Sequence, residues 1–439
     1  MKPFFDTTSP VAIPFGQANF PAPFASGLEY SSPARGTWNI VHVGMMIPQA
    51  HQIFVCAQGC LRGVVLTAAE MGAIDRFSTI AVRENNVLDG DMEWLIIDGV
   101  SDIIEKLPQK PPAFLIYTSC IHHFMGCDLD LVYRTLRSKY PDIAFTDCYM
   151  NPIMRKSGLN PDQTMRRQLY SLLQPLSNDD RTIHIAGSDF PLYREDDFCT
   201  LLTENGYRIV QIPECKTYDE YLRLAEAGHC ITTFPAAIPA GNYLQENFGQ
   251  KHLHLPVSFD FDEILDTYRK VGETFGFDLP DFSEKISACE KALREAKVEI
   301  GDTPITVDYT VSPRPLSLVR MLLRFGFSVT RVYADSFTGE EKEDFAWLKT
   351  NAPEIEILPT VHSHMRVEPR NCKDLTLAIG QKAAYFTGTD RFVNIVEGGG
   401  MYGFDGILRM TQLMVEAFRQ PKDTRSLVQI KGMGCHCGL

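Results

Sequence analysis

The stretch Phe114-Leu-Ile-Tyr117, followed by Thr118-Ser-Cys120, is the clearest strand signal in the chain. Four consecutive apolar or aromatic residues that end in a polar turn are typical of a buried strand in a parallel sheet. The turn places Cys120 at the carboxyl end of that strand, where open parallel sheets bind their ligands. This stretch therefore predicts both a fold class and a position for functional residues.

Short apolar runs of this kind alternate with helical stretches along the chain. The predicted strands are residues 114–117, 143–146, 182–186 and 207–212. The predicted helices are residues 93–106, 128–139, 161–173 and 218–227. A further block starts near Pro304, with a strand at 305–311, a helix from 312 to 325 and a strand at 328–333. The alternation predicts an α/β protein with tandem Rossmann-like domains built on parallel sheets.

Composition and element spacing predict five segments. Residues 1–35, rich in Pro, Phe, Gly and Ser, are an N-terminal arm, and residues 421–439 are a flexible tail. Between them we expect a first α/β domain at 36–175, which contains cysteines that are candidate ligands of an iron–sulfur cluster. A second α/β domain with a helical bridge is predicted at 176–303. A third α/β domain with a Gly-rich loop is predicted at 304–420.

Composition also argues against several classes of protein. The chain has 439 residues, of which 44% are hydrophobic, and a formal net charge of -13. An acidic balance argues against nucleic-acid binding, which needs a basic face. No run approaches the roughly 18 consecutive apolar residues of a membrane span, and the amino terminus lacks a signal-peptide core. We therefore expect a cytoplasmic protein without a membrane partner, whose twelve cysteines suit metal ligation better than disulfides.

Five cysteines in the first third of the chain are candidate ligands of an iron–sulfur cluster. They are Cys56, Cys60, Cys120, Cys127 and Cys148. Cys56 and Cys60 are predicted to lie in the turn between a short strand at 52–55 and a helix. Thiolates on such turns converge on one point of a parallel sheet. The alternative for any cytosolic cysteine is a small packing residue. We keep that interpretation for four isolated cysteines: Cys199, Cys215, Cys289 and Cys372.

A second candidate region is Glu397-Gly-Gly-Gly400, which leads through Tyr402-Gly-Phe-Asp-Gly406 into a predicted helix. Gly398, Gly399 and Gly400 free the backbone to approach a bulky group closely. No Lys-Ser or Lys-Thr follows, which argues against a phosphate loop. His362 and His364 follow a predicted strand of the same block and are candidate ligands or proton donors.

Two further motifs have alternative interpretations. His122 and His123, beside Cys120, either tune a cluster and relay protons or are exposed imidazoles at a helix N-terminus. The terminal Cys435-His-Cys437 either binds a metal or belongs to a disordered tail.

Taken in order, these motifs resemble those of the nitrogenase component 1 superfamily. Gln58-Gly-Cys60 resembles the segment around its second cluster cysteine, and Glu84-Asn-Asn-Val-Leu-Asp-Gly90 resembles the Glu-x-Asp-x-Val-Phe-Gly segment that follows. Thr118-Ser-Cys120 with Gly126-Cys-Asp-Leu129 resembles the motif of the third cysteine. Residues 374–385 and Gly403-Phe-Asp-Gly406 resemble the end of the cofactor domain. The resemblance covers residues 25–418 in outline and implies the corresponding fold.

Two departures from the family pattern bear on the site. The family's first cluster cysteine falls near residues 31–36, which contain none, so either Ser31 is an oxygen ligand or Cys56 takes its place. The cofactor histidine is absent from residues 393–400, and Cys230 lies close to where the cofactor-ligating cysteine falls. The resemblance therefore implies an iron–sulfur cluster, [4Fe–4S] or larger, at Cys60 and Cys120, and leaves a second metallocluster open.

For function, the resemblance implies an oxidoreductase subunit that accepts electrons from an ATP-dependent iron protein through an interfacial cluster. The electrons would pass to a small or tetrapyrrole-like substrate near His362 and His364, with the three loop glycines and Cys230 holding a cofactor. The partner subunit would be a second copy or a paralogous component 1-like chain. Family members that do not reduce dinitrogen, such as methylthio-alkane reductase, agree best with the two departures from the family pattern. A metallocluster assembly scaffold without turnover and a metal-free α/β binding protein remain the alternatives.

Overall fold

The structure, a computed structural model, describes residues 11–25, 27–34, 36–37, 39–150, 158–368, 370 and 374–429. The amino-terminal segment contributes one short strand, β1 (Ile13–Pro14), which pairs antiparallel with a strand of the third sheet. Within these residues, the chain forms three sheets that follow one another along the sequence.

The first sheet contains four parallel strands. They are β2 (His51–Ala57), β3 (Phe77–Val82), β4 (Ala113–Ser119) and β5 (Ala144–Met150), in the order β3-β2-β4-β5. The helices of this region are α1 (Ile40–Met45), α2 (Gln58–Glu70), α3 (Glu84–Asp89), α4 (Met92–Lys106), α5 (Cys120–Met125), α6 (Leu129–Lys139) and α7 (Pro161–Gln168).

The second sheet repeats this strand order. Its strands are β6 (Asp179–Ile185), β7 (Arg208–Gln211), β8 (Ala227–Thr232) and β9 (Lys251–His254), in the order β7-β6-β8-β9. The helices are α8 (Asp197–Glu204), α9 (Tyr218–Leu222), α10 (Ile238–Phe248), α11 (Phe261–Phe275) and α12 (Ser283–Ile300). The last two occupy the predicted helical bridge.

The third sheet has five parallel strands and the antiparallel β1 at its edge. Its strands are β10 (Ile305–Asp308), β11 (Val329–Tyr333), β12 (Glu356–Leu358), β13 (Leu377–Ile379) and β14 (Phe392–Val393), in the order β1-β12-β11-β10-β13-β14. The helices are α13 (Pro315–Arg324), α14 (Lys342–Asn351), α15 (Gln381–Thr387) and α16 (Gly403–Arg419). The predicted α/β class with parallel sheets in tandem is confirmed.

Three predicted elements end earlier than the sequence suggested, and side chains explain why. The helix predicted to reach residue 173 stops at Gln168, because the Tyr221 hydroxyl donates a hydrogen bond to the Leu169 carbonyl oxygen (2.7 Å). The strand predicted to reach 311 stops at Asp308, whose carboxylate accepts the Thr310 backbone N–H (2.7 Å) and starts a turn. The helix predicted through residue 227 is shorter because residue 227 already belongs to β8.

The strand order of the first sheet creates a crevice at its carboxyl edge. β2 connects to β3 on one side, whereas the next strand, β4, lies on the other side of β2. The loops after β2 and β4 therefore diverge, and open parallel sheets bind ligands at such a switch point. Both strands are buried almost throughout, so the residues that form the crevice are held by the packed core of the sheet.

Candidate metal centre

Cys60 and Cys120 lie at this switch point. Val55 of β2 pairs with Thr118 of β4, so the two strands reach their carboxyl ends side by side. Cys60 is in the first turn of α2, and Cys120 is the first residue of α5. Cys60 is exposed and Cys120 is half-buried. The two cysteines therefore follow neighbouring strands at the same edge of the first sheet, and their convergence on one cluster stays a prediction.

Cys56 takes a different position from the one predicted. The sequence placed it in a turn, but β2 continues to Ala57, and Cys56 pairs with Ala81 inside the sheet with its side chain fully buried. Burial, together with the neighbouring Cys60 and Cys120, raises the pKa of its thiol to about 12. Cys56 is thus close to both candidate ligands but stands as a neutral thiol in the core.

Cys127 and Cys148 also have partners in the protein. Cys127 is half-buried, and burial together with the Glu93 carboxylate raises its pKa to about 12. Glu93 also accepts the Asp128 backbone N–H (2.7 Å). Cys148 lies buried in β5, where burial raises the pKa of its thiol well above the usual range. Burial therefore disfavours the thiolate form of both side chains.

The remaining predicted ligand, Ser31, lies beside the third sheet. Its neighbour Tyr30 donates a backbone hydrogen bond to Val361 (2.6 Å), and Ser32 accepts one from Lys382 Nζ (2.8 Å). Ser31 itself is exposed. No group of three or more His, Cys, Asp or Glu residues in the described part of the chain is spaced to hold a metal ion.

His362 and His364 lie in a short turn after β12. His362 Nδ1 accepts the His364 backbone N–H (3.2 Å), and residue 362 forms a bridge with Glu29. His364 Nε2 lies 3.4 Å from a Glu368 carboxylate oxygen. The His362 imidazole is therefore held by the backbone of His364, and the His364 imidazole lies beside Glu368.

Cys230 and the Gly-rich loop have separate surroundings. Cys230 is buried in β8, where its thiol contacts the Gly241 carbonyl (3.7 Å) and burial raises its pKa. Gly398, Gly399 and Gly400 all have positive φ, as three glycines permit. A Cβ on Gly400 would stand 2.2 Å from the Pro191 carbonyl oxygen, so the loop packs against protein at this point. Cys230 thus belongs to the second sheet, whereas the glycines and the two histidines follow strands of the third, and a common site for them stays a prediction.

Sequence reasoning missed a buried ionic cluster around Arg166 of α7. Its guanidinium donates to the Asp189 carboxylate (2.8 and 2.7 Å), to the Gly187 carbonyl (2.7 Å) and to Glu397 (3.2 Å). Asp162 lies 3.0 Å from its Nε. Burial alone would lower the pKa of Arg166, but the carboxylates outweigh it and raise the pKa. Arg166 thereby joins α7, the loop after β6 and the Gly-rich loop.

The exposure difference among the thiols predicts their order of alkylation. In the metal-free protein at pH 8, iodoacetamide is expected to label Cys60 before the other cysteines of the described residues, while Cys56 and Cys230 stay protected, because only thiolates with access react. Peptide mass spectrometry over a time course would measure this. Labelling of Cys56 as fast as Cys60 would contradict its position in β2.

Comparisons with known proteins place this fold. A family model described as nitrogenase component 1 type oxidoreductase matches residues 40–418. The solved structure of nitrogenase Cp1 at pH 6.5 matches with a TM-score of 0.68 and 11% identity, over 90% of this chain and 94% of that chain. Nitrogenase Cp1 at pH 5 matches with a TM-score of 0.58 and 13% identity, over 92% and 94%. A comparison with curated proteins finds no match.

The three tandem sheets and the family match define an α/β oxidoreductase. Because the family model spans residues 40–418, the chain belongs to the nitrogenase component 1 type oxidoreductase family. The sequence-based predictions of the fold class and of an oxidoreductase are both confirmed. In the described part of the chain, no helix has the length and apolarity needed to cross a membrane.

Proposed function

We propose that this protein is a subunit of a nitrogenase-like reductase that accepts electrons, one at a time, from a separate ATP-dependent iron protein. The observation that supports this most strongly is the position of Cys60 and Cys120 after adjacent strands, at the switch point of the first sheet. Their thiolates would hold an iron–sulfur cluster, whose chemistry is one-electron transfer. The donor set fits, since both residues are thiols within reach of solvent.

The cluster is proposed to be a [4Fe–4S] centre shared between two subunits. Cys60 and Cys120 supply two thiolates, and a cluster of this type needs four. Large apolar side chains are exposed on the helices that follow β3 and β4: Leu88 (84% exposed), Trp94 (57%), Phe124 (68%) and Met125 (45%). Exposed apolar groups of this size mark protein interfaces. The partner would be a second copy or a paralogous component 1-like chain.

The chain's own residues have distinct tasks in this scheme. Cys60 and Cys120 would bind the metal, and Cys56 would pack behind them as a neutral thiol that keeps water out of the sheet. The substrate is proposed to be a small or tetrapyrrole-like molecule rather than dinitrogen. Low-potential, ATP-driven electron delivery suits such unreactive compounds.

Electron transfer from an iron protein tests the proposal directly. The anaerobically purified protein is mixed with its partner subunit, a reduced iron protein and ATP, and oxidation of the iron protein is followed by its absorbance. We expect ATP-dependent oxidation that a Cys60→Ala variant abolishes. A cluster-bearing protein that never oxidises its donor would favour the assembly scaffold, and an iron-free, colourless protein would exclude both.

A further inference from the structure

A cleft of about 460 Å³ lies next to Cys120, at the carboxyl edge of the first sheet. Thr118, Ser119 and His122 form one wall, and these residues belong to the same strand end and helix as Cys120. Tyr149 and Arg167 line the cleft from β5 and α7. Its volume lies in the range of roughly 300–1,000 Å³ that is typical of small-molecule sites.

The charge of the cleft differs from that of the protein. The chain carries a net charge of -13, yet the described residues that line the cleft include Arg167, His122 and His123 and no Asp or Glu. The carboxylates beside the cleft have partners of their own: Glu93 is engaged by the Asp128 backbone and by Cys127, and Asp147 accepts the Tyr149 hydroxyl. The described lining therefore offers the positive charge of Arg167 and contains no carboxylate.

Arg167 is available to a ligand. Among the described residues it makes no hydrogen bond and no ion pair, whereas its neighbour Arg166 is fully engaged in the buried cluster. Tyr149, which feels the Arg167 charge, donates its hydroxyl to Asp147 (2.6 Å). A half-buried, unpaired guanidinium is the side chain best suited to bind a carboxylate, sulfonate or phosphate group.

His122 provides a second, directional group. The residue is 2% exposed, and its Nδ1 lies 3.1 Å from the Ser119 backbone nitrogen and 3.3 Å from the Ser119 carbonyl oxygen. We take the shorter contact, in which the Ser119 N–H donates to Nδ1, and this places the ring hydrogen on Nε2. Nε2 is buried and has no hydrogen-bond partner among the described residues. An unpaired buried donor is costly unless a ligand satisfies it.

We propose that this cleft binds an organic anion with an apolar body, whose anionic group pairs with Arg167 and whose hydrogen-bond acceptor meets Nε2 of His122. Leu129, Leu159 and Pro161 supply apolar surface for the body of the ligand. The further identification of this anion as the reductase substrate rests on the proposed function, because the cleft adjoins Cys120.

Equilibrium binding of two fluorescent probes tests the site. Anilinonaphthalene sulfonate carries an anionic group, and phenylnaphthylamine is its uncharged counterpart. We expect the wild-type protein to bind the sulfonate more tightly, and Arg167→Gln to weaken that binding about 10-fold or more while leaving the neutral probe unaffected. His122→Asn keeps an acceptor for the Ser119 N–H but lacks Nε2. This variant should weaken binding of the sulfonate probe to a smaller extent than Arg167→Gln does.

Arg134→Gln is the matched control, because it removes the same charge from an exposed position on α6, outside the cleft. Equal losses in Arg167→Gln and Arg134→Gln, or no preference for the sulfonate, would overturn the proposal. Specific sulfonate binding without electron transfer from an iron protein would retain the anion site and reject the reductase. Electron transfer from an iron protein without a preference for the sulfonate would retain the reductase and reject the anion site.

Discussion

Replacing Cys120 with alanine is expected to reduce the iron content of the anaerobically purified protein to background. In a cluster shared by two chains, the substitution removes two of the four thiolates if the partner is a second copy and one of the four if the partner is a paralogous chain. Cys60→Ala should have the same effect, because the two residues sit at adjacent strand ends. Iron and acid-labile sulfide analysis, with the visible absorbance of the cluster, measures the outcome.

Cys215→Ala serves as the control for these variants. Cys215 is half-buried, and its thiol contacts the Gln211 carbonyl (3.6 Å) at the end of β7, in a different sheet. Its loss should leave the iron content unchanged. Full iron retention in Cys120→Ala would show that Cys120 is not a ligand. Full loss in Cys215→Ala would show that iron content reports folding instead.

Replacing Arg166 with methionine is expected to lower the free energy of unfolding by about 3–5 kcal/mol. The guanidinium is 1% exposed and holds the buried Asp189 carboxylate through two hydrogen bonds. Removing it leaves an unpaired charge in the core. It also releases Glu397, whose φ of 49° is unusual for a residue other than glycine. Urea unfolding followed by circular dichroism measures the loss.

Arg223→Met is the matched control, because Arg223 makes an exposed ion pair with Glu226 (3.0 Å) within one helical turn. The decrease in the free energy of unfolding should be much smaller for Arg223→Met than for Arg166→Met. A double variant, Arg166→Met with Asp189→Leu, should recover part of the stability, since the most deeply buried carboxylate is then no longer left unpaired. Equal effects of the Arg166 and Arg223 variants would show that the buried cluster does not stabilise the fold.

The sequence was sufficient for the fold because its strand signals are strong. Residues 114–117 are apolar and bounded by a polar turn, and they lie within β4. The same signal placed Cys120 correctly, since the first polar residues after a buried strand lie at its carboxyl end. Cys56 was placed wrongly because β2 continues through Ala57, and a buried cysteine at a strand end has the same sequence pattern as one in a turn.

The ionic cluster and the cleft could not be read from the sequence. Arg166 and Arg167 are adjacent and chemically identical, yet one is buried in ion pairs and the other lines a cleft. Successive residues of a helix point about 100° apart, so the outcome depends on which face of α7 meets the second sheet. Asp189, four residues after Ile185 at the buried end of β6, was the one available signal of a buried partner.

The size of the particle and its iron content, measured together on the wild-type protein, test the shared cluster most directly. Light scattering on the anaerobically purified protein gives the number of chains, and iron and sulfide analysis gives the cluster content. We predict a particle of two component 1-like chains with about four irons per pair, as one shared [4Fe–4S] cluster requires. A single chain that carries a complete cluster, or a pair of chains without iron, would contradict the account.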